Sequence, residues 1–221
     1  MTNILTIGII SEGVTDERFL PNIIRKTFEE LAFECNGEIE VYEPELIKKQ
    51  GNTFIEQVLN AATGNHWINI LCVHTDADSS SDKKVFTEKI LPAFDKIEKY
   101  EKENICKNLV AIVPIQMTEA WMLSDTQLLI DEIGTDKNLQ DLELPKALNE
   151  IENISDPKNT IENAIRIAFS EQSPRRKRLS LGELYSPISQ KVKLSNLKYL
   201  SSYNKFRQSS YIALKKLGYI L

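Results

Sequence analysis

Short apolar runs alternate with amphipathic segments over the first 133 residues of the chain. The runs cover residues 3–10, 38–42, 68–75 and 109–115 and have the composition or alternation of strands. Between and after them, apolar residues recur at helical spacing over residues 15–33, 53–62, 81–102 and 118–133. This order predicts an α/β fold, a Rossmann-like and mostly parallel sheet of about four strands covered by helices on both faces.

The pattern changes after about residue 134. Helical spacing recurs over residues 144–151, 158–169 and 203–217, and no strand pattern follows residue 115. We therefore predict two parts, an α/β domain over residues 1–133 and a helical extension over residues 134–221 that packs on it.

Charge is distributed unevenly between the two ends of the chain. The whole sequence has 27 Lys and Arg against 32 Asp and Glu, a formal net charge of −5. Residues 171–221 contain eleven basic and two acidic residues, a net charge of +9, which leaves −14 for residues 1–170. Two interpretations stay open: the basic segment attracts a polyanion, or it docks on the acidic part of the chain and neutralises it.

Several functional classes are excluded by features that the sequence lacks. No apolar stretch approaches the ~18 residues of a membrane span, and the N-terminal segment is expected to be a strand rather than a secretory signal. The three widely spaced cysteines predict reduced thiols in a cytoplasmic protein, not a disulfide framework or a zinc site. A P-loop and a dinucleotide-binding glycine motif are also missing.

Carboxylates follow three of the predicted strands. Glu12 comes directly after the first strand with Asp16 four residues later, Asp76 and Asp78 follow the third strand, and Glu119 follows the fourth. Because the carboxyl ends of parallel strands meet at one edge of a sheet, we expect these side chains to converge there. Carboxylates packed together repel each other unless a cation lies between them, which predicts Mg²⁺ or Mn²⁺ as a cofactor. The neighbouring histidine at position 74 is expected to be a structural residue.

Short stretches of the chain resemble a known family. They are EGVTDERFL at 12–20, HTDADS at 74–79, TEAWMLSD at 118–125, DPKNTIENAI at 156–165 and SSYNKFRQSSYIAL at 201–214. Together they resemble the Toprim-like domain-of-unknown-function 4276 family. That family is related to the Toprim domains of topoisomerases, primases and overcoming-lysogenization-defect nucleases, so the resemblance implies a Toprim-like sheet.

The resemblance also implies a function for the carboxylates. Glu12 would bind metal or act as a general base, Asp16, Asp76 and Asp78 would be metal ligands, and Glu119 would complete a second metal site. The implied activity is that of a metal-dependent nuclease acting on DNA or RNA, in a family with some members linked to phage defence. Its partners would be a nucleic acid and an ATPase on a separate chain.

The main hypothesis is therefore hydrolysis of phosphodiester bonds with one or two Mg²⁺ ions, with Glu12, Asp76 and Asp78 as the catalytic residues. A cation that neutralises the developing charge would come from Lys83 and Lys84 or from a basic run. That run is also the candidate nucleic-acid contact: Arg175, Arg176, Lys177 and Arg178. Two alternatives stay open, a haloacid-dehalogenase-like phosphatase with Asp76 as nucleophile and a non-catalytic regulatory or partner-binding protein.

Overall fold

Six short β-strands form the sheet layer in a computed structural model that describes residues 2–101, 104–171 and 179–221. They are β1 (Asn3–Leu5), β2 (Ile7–Ile10), β3 (Ile39–Val41), β4 (Glu45–Leu46), β5 (Ile70–His74) and β6 (Leu109–Ile112). The four predicted runs thus contain β1 with β2, β3, β5 and β6, whereas β4 escaped prediction because it is only two residues long.

All observed strand pairs are parallel. The main sheet has the order β4-β2-β5-β6, and β1 pairs with β3 in a separate two-stranded sheet. The predicted first strand is interrupted at Thr6, whose backbone N–H donates to the side chain of Asn69 at 2.8 Å. The protein is therefore a mixed α/β fold with parallel sheets flanked by helices, as the pattern predicted.

Ten α-helices were identified in the described residues. They are α1 (Val14–Ala32), α2 (Phe54–Gly64), α3 (Lys83–Val85), α4 (Leu91–Glu98), α5 (Glu119–Met122), α6 (Thr126–Ile133), α7 (Pro157–Ala168), α8 (Tyr185–Lys191), α9 (Leu194–Leu197) and α10 (Ser201–Lys216). A π-helical turn, Phe86–Ile90, joins α3 to α4, so the long helix predicted for 81–102 contains an irregular turn. Two 3₁₀ segments, Leu148–Asn153 and Leu181–Glu183, occur in the C-terminal part.

The strands alternate their side chains between two apolar clusters. Ile9, Cys72 and Ile112 belong to a cluster that also contains buried residues of α1, α7, α8 and α10. Leu71 and Val73 point to a second cluster with residues of α2 and α4. Because successive side chains of a strand point to opposite faces, helices cover both faces of the sheet, which explains the continuous apolar character of its strands.

Two of the helix predictions were wrong in detail. The segment 118–133 is split into α5 and α6, because the Asp125 side chain accepts a hydrogen bond from the Leu128 N–H and begins a new helix there. Residues 144–147 are not helical, and only the 3₁₀ segment Leu148–Asn153 follows. Proline at position 145 disfavours the helical conformation of Leu144 before it. Leu144 is nevertheless buried, which is why its position matched the apolar spacing of a helix.

The basic C-terminal part is joined to the acidic N-terminal part by ion pairs. Four of its described cations pair with carboxylates from residues 1–133: Lys191 with Glu132, Lys198 with Glu30, Lys205 with Asp82, and Arg207 with both Glu30 and Glu34. For these four residues the docking interpretation of the charge asymmetry agrees with the structure. Burial opposes the ionisation of Glu30, but the hydrogen bonds from Lys198 and Arg207 outweigh it and lower the pKa of Glu30.

The described helices lack the features of a membrane span. Within the described parts of the chain, none combines the length and the apolar character needed to cross a bilayer.

Candidate functional site

The site forms where β2, β5 and β6 end side by side. β2 is followed by Glu12, β5 ends at His74 and leads into Thr75 and Asp76, and the segment after β6 leads to Thr118. Backbone hydrogen bonds from Thr75 to Ile112 and from Ala77 to Pro114 continue the parallel pairing beyond the strands. The sheet therefore brings three sequence-distant segments to one edge.

The Glu12 carboxylate is anchored on the segment after β5. Its Oε2 accepts hydrogen bonds from the Thr75 hydroxyl at 3.0 Å and from the Asp76 backbone N–H at 3.1 Å. Burial raises the pKa of Glu12, but these two bonds and the nearby charge of Lys89 outweigh burial and hold that pKa below its ordinary value. Glu12 is therefore ionised at neutral pH.

Asp16 and Asp76 are joined through one threonine. The Thr118 hydroxyl donates to Asp16 Oδ1 at 2.7 Å, and the Thr118 backbone N–H donates to Asp76 Oδ1 at 3.0 Å. The second oxygen of Asp16 accepts the Gly13 N–H at 2.9 Å, so Asp16, at the third position of α1, also binds the backbone of the N-cap residue Gly13. Backbone and hydroxyl donors thereby fix the orientation of both carboxylates.

His74 lies beneath these carboxylates and is fully buried. Its Nδ1 accepts the Glu12 backbone N–H at 3.3 Å, which places the ring proton of the neutral form on Nε2, 3.3 Å from Asp76 Oδ1. Burial lowers the pKa of His74, but the bond to Asp76 and the charges of Asp76, Asp16 and Glu12 raise it above its ordinary value. The ring thus orients Asp76, as expected for a structural histidine that supports a site.

Glu119 is buried at the start of α5 and accepts a hydrogen bond from the Tyr185 hydroxyl of α8. Burial raises the pKa of Glu119, and the charges of Asp76 and Asp16 raise it further against the opposing bond from Tyr185. The same electrostatic coupling acts on Asp76, where burial first and then the charges of Asp16 and Glu12 raise the pKa in spite of His74. Glu119 therefore belongs to the same electrostatic cluster as the other three carboxylates.

Asp78 does not join the cluster. Its side chain is exposed, and its backbone φ of 48° lies in the left-handed region. The prediction that Asp76 and Asp78 converge assumed an extended chain, in which residues two apart share a side. The turn at Asp78, whose N–H donates to the Gln116 carbonyl at 2.9 Å, removes that geometry.

The cations predicted for the site are placed differently. Lys83 and Lys84 are exposed on α3, and neither side chain forms a hydrogen bond or an ion pair with another described residue. The basic run at Arg175, Arg176, Lys177 and Arg178 lies outside the described residues. Lys89 and Lys49, which the sequence did not single out, contact the site directly: Lys89 Nζ donates to the Thr75 hydroxyl at 3.2 Å, and Lys49 Nζ donates to the Glu12 carbonyl at 2.6 Å.

The donor set was tested against the requirements of a hard divalent cation. Asp16, His74 and Asp76 each offer a ligand atom, and these atoms lie within 4.8 Å of one another. Glu12 Oε1 and Asp76 Oδ2 accept no hydrogen bond from the described residues, whereas both ring nitrogens of His74 are engaged. Available carboxylate oxygens beside two buried carboxyl groups with raised pKa values, those of Asp76 and Glu119, fit Mg²⁺ or Mn²⁺.

In addition to Lys49, sequence reasoning missed the supporting residues Thr118, Tyr185 and Lys89. Thr118 lies one position before the predicted Glu119, and its role depends on a backbone turn that has no sequence signature. Tyr185 is 66 positions from Glu119, and Lys89 is one of many polar residues in the predicted charged helix over residues 81–102.

The chain was compared with protein-family models, with curated proteins and with solved structures. None of the three comparisons finds a match. The likeness to the Toprim-like family therefore depends on the short motifs alone and stays a prediction.

Proposed function

We propose that this protein is a metal-dependent hydrolase of phosphodiester bonds that acts on DNA or RNA. The single observation that supports this most strongly is the convergence of Asp16 and Asp76, whose ligand atoms lie within 4.8 Å of each other, with Glu12 hydrogen-bonded to the Asp76 backbone. Four carboxylates close together at one edge of a parallel sheet repel each other. This repulsion destabilises the folded state unless a bound cation offsets it. The nucleic-acid substrate and a role in phage defence follow from the family resemblance.

Each residue of the cluster has a role in this proposal. Asp76 would hold Mg²⁺ or Mn²⁺ through its available oxygen, with Asp16 and Glu119 as further ligands, and Glu12 would act on the attacking water. The bound ion would polarise the phosphate and lower the pKa of a water molecule. Thr118 and His74 keep Asp76 in one orientation, and Tyr185 does the same for Glu119.

Glu12 is the residue best suited to act on the attacking water. Its lowered pKa keeps the carboxylate ionised at neutral pH, and its Oε1 accepts no hydrogen bond from the described residues. Thr75 and the Asp76 N–H hold the other oxygen, so the available oxygen has a defined direction. A positioned base of this kind contributes ~10²–10⁴-fold to a rate.

The decisive experiment combines a cleavage assay with metal binding. Purified protein is incubated with plasmid, single-stranded DNA and RNA in Mg²⁺ or Mn²⁺, alongside Glu12→Gln, Asp76→Asn and the control Glu40→Gln. Glu40 is an exposed carboxylate of β3 with no described side-chain contact, so its variant controls for the loss of one charge. We expect Glu12→Gln and Asp76→Asn to lose at least about 100-fold in rate, and Glu40→Gln to keep wild-type activity.

Metal binding is measured separately as the rise in melting temperature on adding MnCl₂. Mn²⁺ should stabilise the wild type and Glu40→Gln but have little effect on Asp76→Asn, because a ligand stabilises only the state that binds it. Cleavage that survives both Glu12→Gln and Asp76→Asn would show that the activity comes from another site or a contaminant. Mn²⁺ stabilisation without cleavage of any nucleic acid would support the non-catalytic alternative, and a phosphoaspartate trapped at Asp76 would support the phosphatase.

A further inference from the structure

A cavity of about 330 Å³ adjoins the carboxylate cluster on the side of Glu12. Its walls include Glu12, Lys49, Phe54, Gln57 and Lys89. The volume is at the lower end of small-ligand sites, which span ~300–1,000 Å³. The cavity thus has room for one phosphate-bearing unit of a chain.

The two lysines of this cavity differ from the paired cations elsewhere in the protein. Neither Lys49 nor Lys89 forms an ion pair with a carboxylate of the described residues, although the chain carries a net charge of −5. Each ammonium group has three donors, and the described contacts use one of them, on the Glu12 carbonyl and on the Thr75 hydroxyl. The remaining donors are available to an anion in the cavity.

Lys89 owes its position to the π-helical turn Phe86–Ile90. In this turn the Leu91 N–H bonds to the Phe86 carbonyl, one residue further back than in an α-helix. The side chain of Lys89 is partly buried and ends at Thr75, whose hydroxyl in turn donates to Glu12. Lys89, Thr75 and Glu12 therefore form one connected line between the cavity and the carboxylate cluster.

We infer that this cavity binds a phosphate group of the substrate, with Lys49 and Lys89 as its ligands. This inference rests on the proposed function and extends it, because it names the residues that hold the nucleic acid beside the metal ligands. Lys83 and Lys84, the sequence-based candidates for this role, are exposed on α3 and do not line the cavity. The phosphate can come from the interior of a strand or from a phosphorylated 5′ end, and the experiment separates the two.

The experiment measures binding without metal, so that it is independent of catalysis. Single-stranded 12-nucleotide probes with a 3′ dye and either a 5′-phosphate or a 5′-hydroxyl are titrated in EDTA by fluorescence anisotropy at several salt concentrations. The proteins are the wild type, Lys49→Gln, Lys89→Gln, Lys89→Arg and the control Lys96→Gln. Lys96 is exposed on α4 and has no described side-chain contact, so its variant removes one charge without touching the cavity.

We expect Lys49→Gln and Lys89→Gln each to weaken binding about tenfold, because each removes a charge-assisted hydrogen bond. Each should also reduce the slope of log K against log salt by about 0.7, the value for one phosphate contact on a single strand. Lys89→Arg should keep most of the affinity, and Lys96→Gln all of it. Equal losses on both probes indicate an internal phosphate, and losses confined to the 5′-phosphate probe indicate a terminal one.

Two outcomes overturn the inference: a wild type that binds neither probe at low salt, or cavity variants with the affinity and salt slope of Lys96→Gln. Cleavage assays in Mn²⁺ then separate this inference from the proposed function. A wild type that cleaves while both cavity variants bind normally refutes only the phosphate site. Binding that depends on Lys49 and Lys89 in a protein that never cleaves refutes only the hydrolase.

Discussion

Replacing Thr118 by valine tests whether this residue holds the carboxylate cluster together. The Thr118 hydroxyl is buried and donates to Asp16 Oδ1 at 2.7 Å, while its backbone N–H donates to Asp76 Oδ1 and is unaffected by the change. Valine has nearly the same shape as threonine, so the substitution removes a hydrogen bond to a buried carboxylate with little change in packing. The hydroxyl also lies 3.3 Å from His74 Nε2 and 3.4 Å from Asp76 Oδ1, so the variant measures the combined contribution of this hydroxyl, in which the bond to Asp16 is the shortest.

A hydrogen bond to a charged group contributes ~1.5–3 kcal/mol, and the loss here leaves a buried carboxylate oxygen without its donor. We therefore expect Thr118→Val to lower the free energy of unfolding by about 1.5–3 kcal/mol. For a chain of this size each kcal/mol corresponds to ~2–4 °C, so the melting temperature should fall by about 3–12 °C. Urea unfolding followed by circular dichroism at pH 7 in EDTA measures the free energy directly.

Two matched variants complete the test. Thr87→Val removes an exposed hydroxyl that donates to the Lys83 carbonyl at 2.9 Å, and it should change stability by less than about 0.5 kcal/mol. Thr118→Ser keeps the hydroxyl and loses one buried methyl group, so it should cost about 1 kcal/mol and retain the Mn²⁺ stabilisation of the wild type. If Thr118→Val were as stable as Thr87→Val, the hydrogen bond to Asp16 would not support the cluster.

Three further predictions concern the core, the ion pairs and the second carboxylate support. Ile112→Ala, in a fully buried position of β6, should cost about 2–5 kcal/mol in urea unfolding, whereas Ile4→Ala at an exposed position of β1 should cost far less; equal losses would contradict the assigned core. Because the pKa of Glu30 is lowered from 4.5, its ionised form stabilises the fold above pH 4.5 and this contribution is lost as the pH falls below that value through the lowered pKa. The stability difference between wild type and Glu30→Gln, about 1 kcal/mol or less at pH 7, should therefore shrink as the pH falls below 4.5 and vanish once Glu30 is protonated in the folded state, and a constant difference would show that the pairs contribute nothing. Tyr185→Phe should reduce the Mn²⁺-induced rise in melting temperature, and an unchanged rise would exclude Tyr185 as a support of Glu119.

The sequence was sufficient to predict the layers of the fold because the spacing of apolar residues shows which side chains face the core. The helix over 15–33 and the strands over 68–75 and 109–115 have strong patterns, and the structure contains α1, β5 and β6 there. The failures occur where local backbone chemistry overrides that pattern. Asp125 begins a new helix within one apolar stripe, and the proline after Leu144 prevents a helix over residues that are nonetheless buried.

The site was predictable only in outline, for a related reason. Parallel strands must end at one edge, so the meeting of Glu12 with Asp76 follows from strand order alone. Whether Asp78 also meets them depends on a single φ angle of 48°, which no periodicity encodes. The supporting contacts of Thr118 and Lys89 depend on a turn and a π-helical segment, and these are visible only in three dimensions.

The larger apolar cluster makes folding of the N-terminal part of the chain depend on the C-terminal part. It contains Leu5 of β1, Trp121 of α5 and Tyr203, Phe206 and Leu214 of α10, so both sequence regions contribute to one continuous interior. The Trp121 indole N–H also donates to Ser202 at 2.8 Å across this interior. A polypeptide that stopped at residue 133 would leave a large share of this cluster in water. Such a fragment should be prone to aggregate. Deletion of α10 should likewise prevent folding, because this helix forms part of the main core and not a peripheral addition to it.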